Sequence, residues 1–172
     1  MTDEELLTTR LSLRRPVATD VDAILAVHSD PRACAHNPSD TLVNHAEAAG
    51  LFAYWDEHWR CHGFGYFVVR RHGSAAPLGF CGVKFMPFRE RRTLNLFYRL
   101  DPAAWGDGVA GEAATAVVRW AGERLPGEPV VARVRPENIA SRRVAQRAGL
   151  IRAADLDGLG VDGVDLVYVR SW

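Results

Sequence analysis

The chain has 172 residues, of which 48% are hydrophobic, and its 21 Lys and Arg residues balance 21 Asp and Glu residues. This length predicts one domain with a real core, and the absence of net charge disfavours nucleic acid or an anionic membrane as a partner. Cys34, Cys61 and Cys81 lack metal-ligand spacing, so we expect reduced thiols and no metal site. With no apolar signal segment and no membrane-spanning run, the sequence predicts a cytoplasmic protein.

The N-terminal part predicts a flexible tail over residues 1–8, followed by a single domain over residues 9–172. Alternation of apolar and polar residues predicts a first strand over 10–14, which Pro16 closes. Thr19 and Asp22 resemble a capping box ahead of a helix that runs through about Val27. Prolines predict a loop over 29–40, and apolar spacing predicts a second helix over 43–59 that ends before Gly63.

The remaining elements follow from alternation, turn residues and helical spacing. Three strands joined by short turns predict an antiparallel unit, and a central helix and a shorter helix capped by Asn138 alternate with the later strands. The predicted strands lie at 66–70, 78–85, 93–100, 129–134, 150–156 and 164–170. The central helix starts near Ala110, and the shorter helix runs from about Ile139 to Arg147, with Gly149 just past its end.

A glycine-rich turn at residues 105–112 opens the central helix. Gly106, Gly108 and Gly111 remove side chains where backbone N–H groups and the positive end of the helix dipole point to one spot. The order strand, glycine turn, helix, strand predicts a parallel βαβ unit with a phosphate site at its tip. The alternative is that the glycines only ease packing at the helix start.

The same three glycines also match the dinucleotide fingerprint Gly-x-Gly-x-x-Gly. However, five residues separate the preceding strand from Gly106, and too little chain follows to complete the usual repeat of βαβ units. A nicotinamide-dependent oxidoreductase is therefore disfavoured. A P-loop is excluded because no Gly-Lys-Ser/Thr follows.

The segment from Tyr98 to Ala113 resembles the acetyl-CoA-binding segment of the GNAT superfamily of N-acetyltransferases, with its closest likeness to the RimJ/RimL branch. Gly108 and Ala110 match the general pattern Gln/Arg-x-x-Gly-x-Gly/Ala, and Trp105 stands at its first position. A second segment, residues 138–150, resembles that branch's Asn-x-x-Ser and its Lys/Arg-x-Gly-Phe ending. Together with residues 9–14 and 29–31, the likeness covers nearly everything from residue 9 onward.

The resemblance implies an α/β (α+β) fold with a mixed, mostly antiparallel sheet of seven strands, splayed between the fourth and fifth and flanked by about four helices. It also implies acetyl-CoA as the acyl donor, with the pantetheine arm in the split. Arg147 would reach a phosphate, although a solvated arginine on the helix surface is the alternative. The residues expected at the acetyl-CoA site are Tyr98, Leu100, Trp105, Gly106, Asp107, Gly108, Val109, Ala110, Gly111, Asn138, Ser141 and Arg147.

Two residues are expected to carry the chemistry. Ser141 resembles the residue that protonates the leaving thiolate in this branch, and the alternative is a serine that only satisfies its own helix start. Asn95 stands where relatives often carry the Glu that accepts the amine proton, and Asn cannot act as a base near neutral pH. A site without that Glu suits an α-amine better than lysine, because an α-amine ionises near pH 8 and lysine near 10.4.

Asp107 is a further departure from the family pattern, and several residues are further candidates for the acceptor side of the site. Asp107 places a carboxylate where relatives often carry Lys or Arg, which would weaken phosphate binding. Four histidines lie in the segment expected on the acceptor side, and three aromatic residues there could line the acceptor pocket or belong to the core. They are His36, His45, His58 and His62, and Trp55, Trp59 and Phe64.

The sequence thus predicts an enzyme that transfers an acetyl group from acetyl-CoA to an amine, either a peptide N-terminal α-amine or a small amine. The alternative is an acyl-CoA-binding module that has lost or altered catalysis, which the replacement of the family Glu by Asn95 favours. We expect no nucleic-acid or membrane partner, and a homodimer stays open.

Overall fold

Nine strands and four helices make up the part of the chain that the computed structural model describes, residues 5–172. The helices are α1 (Val21–Ser29), α2 (His45–His62), α3 (Val109–Arg124) and α4 (Ile139–Arg147). The strands are β1 (Glu5–Leu7), β2 (Leu11–Arg14), β3 (Tyr66–Arg71), β4 (Pro77–Phe88), β5 (Arg91–Leu100), β6 (Val130–Val134), β7 (Ile151–Arg152), β8 (Gly158–Gly160) and β9 (Gly163–Arg170).

The strands form a mixed sheet in the order β1-β2-β3-β4-β5-β6-β9-β7, and β8 forms a hairpin with β9. Every pairing is antiparallel except that of β5 with β6. The predicted fold class is confirmed. The predicted count of seven strands is wrong by two, because β1 and β8 are three-residue strands too short to show a period.

Most predicted boundaries differ by one to three residues, and two predicted segments differ in kind. The expected tail over residues 1–8 includes β1, whose Leu6 pairs with Leu13 of β2, whereas residues 1–4 lie outside the described part. The strand expected over 150–156 is only β7, since a 3-10 turn over Ala154–Leu156 follows it.

Helix ends follow local hydrogen bonding. Asn44 caps α2 by accepting from the Glu47 N–H at 2.9 Å, and Gly63 ends it with φ +76°. The capping box predicted from Thr19 and Asp22 is wrong. Instead Asp20 accepts from the Val17 N–H at 2.7 Å and pairs with Arg14, so the turn forms around Asp20.

The sheet separates two apolar clusters. α3 and α4 pack on one face through Val109, Val117 and Ala145, and α1 and α2 pack on the other face through Ile24 and Trp55. Trp55, Trp59 and Phe64 are all buried, so their role is in the core rather than in a pocket wall.

The sheet splits at its parallel pair, β5 and β6. β5 and β6 are paired at Leu94↔Val130 and Asn95↔Val131, although β5 continues to Leu100. The two strands therefore diverge beyond Asn95, which confirms the predicted splay. Within residues 5–172, none of the helices combines the length and apolar character needed to cross a bilayer.

Candidate active site

A cavity of about 840 Å³ opens where β5 and β6 separate. Its volume falls in the range of small-molecule sites. β5, the glycine turn and α4 supply most of its wall, and the segments 32–40 and 161–165 close the other end. The predicted site residues that line it are Asn95, Tyr98, Leu100, Trp105, Gly106, Gly108, Val109, Ala110, Gly111, Asn138, Ser141 and Arg147.

Gly108 forms the cap of α3 and adopts a left-handed conformation with φ +74°. A Cβ at this position would lie 3.6 Å from Nη2 of Arg10 and 3.9 Å from Nη1 of Arg147. The space above Gly108 therefore lies between two guanidinium groups and at the positive end of a helix. This combination favours an anion.

Arg147 reaches this space by crossing the first turn of α3 at Gly111. A Cβ on Gly111 would lie only 2.9 Å from Cδ of Arg147. Gly111 thus lets a side chain from α4 lie against α3, which explains the third glycine of the turn. Arg147 is nevertheless an exposed residue, so its contact with a phosphate stays a prediction beside the solvated-surface alternative.

Arg10 was not among the predicted site residues, because nothing in the linear sequence connects residue 10 with residue 108. Glu112 positions it by accepting from its Nε at 2.6 Å and its backbone N–H at 3.0 Å, and also from Thr8 Oγ1 at 2.6 Å. Partial burial by itself raises the pKa of Glu112, but these hydrogen bonds outweigh that effect and hold the pKa below its ordinary value. The carboxylate is therefore charged and keeps Arg10 beside the turn.

Asp107 is the one predicted acetyl-CoA-site residue that does not line the cavity. Its carboxylate forms an ion pair with Arg71 at the end of β3. The side chain is thus directed away from the space between Arg10 and Arg147. The ion pair places a positive charge beside this carboxylate, and the expected weakening of phosphate binding stays a prediction.

Ser141 and Tyr98 both line the cavity and contact each other. The Tyr98 hydroxyl lies 2.8 Å from Oγ of Ser141 and 2.9 Å from the Ser141 carbonyl oxygen. Asn138 caps α4 by accepting from the Ser141 N–H at 3.0 Å. Because the helix start is already capped by Asn138, the Ser141 hydroxyl is not needed for that purpose.

Asn95 lies beside the split and faces the α1–α2 side of the sheet. Its Nδ2 donates to the Tyr66 hydroxyl at 2.8 Å, and the Tyr66 ring stacks on Phe97 with centroids 4.7 Å apart. Leu96 packs in the opposite cluster, so the alternation predicted for β5 holds. An amide therefore stands at the end of the last β5–β6 pair.

Charged and polar side chains close the end of the cavity away from the glycine turn. Arg99 is buried and donates from Nη2 to Asp40 at 2.7 Å. Ser39 donates to Asp162 from both its hydroxyl, at 2.6 Å, and its backbone N–H, at 3.1 Å. The Arg99–Asp40 contact joins β5 to the segment before α2, and the Ser39–Asp162 contacts join that segment to the β8–β9 turn. Neither connection was expected from the sequence.

His36 is the one of the four predicted acceptor-side histidines that lines the cavity. His58 instead joins α2 to β4: its Nδ1 donates to the Phe64 carbonyl oxygen at 2.8 Å, and its Nε2 accepts from the Phe85 N–H at 3.1 Å. Burial lowers the pKa of His58 to about 4. It is therefore a neutral structural residue.

A family model described as the acetyltransferase (GNAT) domain matches residues 10–151. The chain belongs to the GNAT acetyltransferase family. The match covers the glycine turn, β5 and Ser141, so the cavity is formed by the matched part of the chain except for its lining residues in segment 161–165. The predicted family is confirmed.

Solved structures of GNAT fold resemble the chain over nearly its whole length. An acetyltransferase from Agrobacterium tumefaciens is 26% identical with a TM-score of 0.82, covering 99% of this chain and 95% of that one. RimL, a ribosomal L7/L12 α-N-protein acetyltransferase in complex with coenzyme A, is 18% identical with a TM-score of 0.77 and coverages of 97% and 97%. A ribosomal-protein-S5-alanine acetyltransferase from Vibrio fischeri is 15% identical with a TM-score of 0.76 and coverages of 98% and 96%.

Proposed function

We propose that the protein transfers the acetyl group of acetyl-CoA to an α-amine, as RimJ/RimL-like enzymes do. One observation carries this proposal. A single cavity joins a cationic glycine turn, the Ser141–Tyr98 pair and the split between β5 and β6. An anion site, a proton donor and a gap for an extended chain are what binding and cleavage of a CoA thioester require.

The phosphate groups of the donor fit the turn at the start of α3. Backbone N–H groups there have no helical acceptors, and Arg10 and Arg147 supply positive charge on either side of Gly108. The RimL structure contains coenzyme A, which supports a CoA ester as the donor for this chain.

The thioester carbonyl can be polarised by the main chain of β5. The Leu94 N–H donates to the Pro129 carbonyl oxygen at 2.7 Å, so it points toward β6. N–H groups alternate along a strand, and the N–H of Tyr98 therefore points toward the same side, where β6 has diverged. A fixed N–H donor at that position stabilises negative charge that develops on the carbonyl oxygen.

The transfer forms an N–C bond and breaks the C–S bond. Ser141 Oγ donates its proton to the departing thiolate, the attacking nitrogen releases its proton to water, and water returns a proton to Oγ. Asn95 accepts no proton, so the acceptor must arrive with a neutral nitrogen. α-Amines, with a pKa of about 7.7–8.0, meet this condition near neutral pH far better than lysine at about 10.4.

The second candidate is an acyl-CoA-binding module without transfer. Asn95 supports it, because the carboxylate that would accept the amine proton is missing. Both candidates require CoA binding at the glycine turn and differ only in turnover.

Release of the CoA thiol from acetyl-CoA, measured with a panel of small amines, lysine derivatives and peptide N-termini, tests the proposal. We expect release with α-amines and little with lysine side chains below pH 8. The Ser141→Ala variant should lower turnover by about 10²-fold, the low end for a general acid, because a thiolate is a good leaving group. CoA binding without release from any acceptor would favour the binding module.

A further inference from the structure

Tyr98 contacts Ser141 through two atoms, although 43 positions separate them along the chain. The Tyr98 hydroxyl comes from β5 and lies 2.8 Å from Oγ and 2.9 Å from the carbonyl oxygen of Ser141 in the first turn of α4. Asn138 holds the Ser141 N–H. The backbone of Ser141 is thus fixed, and its hydroxyl proton is the part still able to turn.

The hydrogen bonds around these two hydroxyl groups allow two arrangements. A carbonyl oxygen only accepts, and a phenol has one proton. If Tyr98 donates to the carbonyl oxygen, Ser141 donates to the Tyr98 oxygen, and its proton is not available to another group in the cavity. If Tyr98 donates to Oγ, the Ser141 proton is free to point into the cavity.

Negative charge in the cavity selects the second arrangement. A thiolate next to Ser141 attracts the serine proton, and Oγ then gains negative character. A phenol that donates to this oxygen stabilises it, because hydrogen bonds to charged acceptors are about twice as strong as neutral ones. Burial raises the pKa of the Tyr98 phenol, so Tyr98 keeps its proton and acts as a hydrogen-bond donor.

We propose that Tyr98 is a positioning residue that turns the Ser141 proton toward the leaving thiolate and supports Oγ as that proton departs. This inference rests on the proposed acetyl transfer. It assigns to the Tyr98 side chain a role separate from that of its backbone N–H, which faces the split on the β6 side.

Ionisation of bound CoA tests the inference without an acceptor. Absorbance of the CoA thiolate, titrated in complexes with the wild type and with Tyr98→Phe, gives the pH at which the bound thiol ionises. We expect the acid dissociation constant to be about fivefold smaller in Tyr98→Phe, the effect of one modest hydrogen bond. Equal ionisation midpoints would overturn the inference.

Tyr168→Phe is the matched control. The Tyr168 hydroxyl accepts from Nε of Arg142 at 3.2 Å, so it also contacts α4 but does not line the cavity. We expect the same thiol ionisation as in the wild type. A shift equal to that of Tyr98→Phe would show a general effect on α4 and would overturn the inference.

Turnover gives the second test. Tyr98→Phe should lower kcat by about fivefold to tenfold with the KM for acetyl-CoA within about twofold, and it should have no further effect in the Ser141→Ala background. Independent losses in both backgrounds would show that Tyr98 does not act through Ser141. A wild type that binds CoA but releases no thiol would overturn the proposed transfer, and the ionisation midpoints would still decide the role of Tyr98.

Discussion

Gly108 shows how a single residue can connect backbone conformation with ligand binding. Its left-handed φ of +74° starts α3, and the space where a side chain would begin lies between Arg10 and Arg147. A methyl group here would occupy part of the proposed phosphate site. Position 108 therefore requires a residue that adopts a left-handed conformation and that leaves the space above it free of a side chain.

Gly108→Ala should weaken CoA binding by at least about tenfold, measured by calorimetry, because Cβ excludes phosphate oxygens from the N–H groups. Gly127→Ala is the control. Gly127 has φ +86°, and no atom lies within 4 Å of the place that an alanine methyl group would take, so this variant carries the same backbone cost of about 1 kcal/mol outside the site. Equal CoA affinities in the two variants would contradict the assignment of the turn.

Asn95 determines the expected pH dependence of turnover. Without an enzyme base, the rate should rise with pH and follow the pKa of the acceptor, near 8 for an α-amine. Asn95→Glu should extend activity to lower pH or to more basic amines. The measurement is a pH profile of kcat/KM with one peptide, compared with Asn95→Ala.

A wild-type profile that is already flat from about pH 6.5 upward, and unchanged in Asn95→Ala, would show that a base lies elsewhere. His36, the cavity-lining histidine of the four predicted, would then be the first residue to substitute.

The contact between α2 and β4 depends on the neutral form of His58. Its two ring nitrogens satisfy a carbonyl oxygen after the helix and an N–H of the strand. His58→Ala leaves both groups without this partner. The free energy of unfolding should fall by about 1–3 kcal/mol.

Urea unfolding of His58→Ala measures this loss, and His45→Ala is the control on the same helix, since His45 is exposed. We expect a change within about 0.5 kcal/mol for His45→Ala. Similar losses in both variants would mean that the α2–β4 bond contributes nothing specific. Turnover of His58→Ala in folded protein should stay close to that of the wild type.

The stability of the domain should depend on pH through buried histidines. Burial, and then the charge of Arg99, lower the pKa of His28 from 6.5 to about 4, and burial lowers that of His58 to the same range. Between pH 6.5 and 4 the unfolded chain binds more protons than the folded one. The free energy of unfolding therefore falls as the pH falls through this range.

Urea unfolding at several pH values between 7 and 4 checks this expectation. His28→Leu should reduce the slope of the unfolding free energy against pH in that window, because leucine does not titrate. His28 contacts the rings of Trp55 and Phe97, so the variant can also change the absolute stability, but this does not affect the slope. A slope unchanged from the wild type would assign the acid sensitivity to other groups, of which His58 is the first to test because its pKa is lowered into the same range.

Much of the architecture was predictable because it depends on local patterns. Helix α4 has the predicted bounds, since Asn138 and Gly149 signal its ends within a few residues of the helix. The antiparallel β3–β5 unit and the glycine turn before α3 likewise follow from spacing and turn residues. Short elements could not be predicted, because a strand of three residues, such as β1 or β8, is too short to show an alternation of apolar and polar residues.

The residues of the site also differ in whether the sequence could predict them. Motifs within one segment identified Gly108, Ser141 and Asn95 as candidates. Arg10, the Tyr98–Ser141 contact, the Asp107–Arg71 ion pair and the Ser39–Asp162 contact depend on residues far apart in the chain, which only the tertiary fold brings together. Local sequence specifies backbone conformation, whereas the direction of a long side chain depends on neighbours that folding alone supplies.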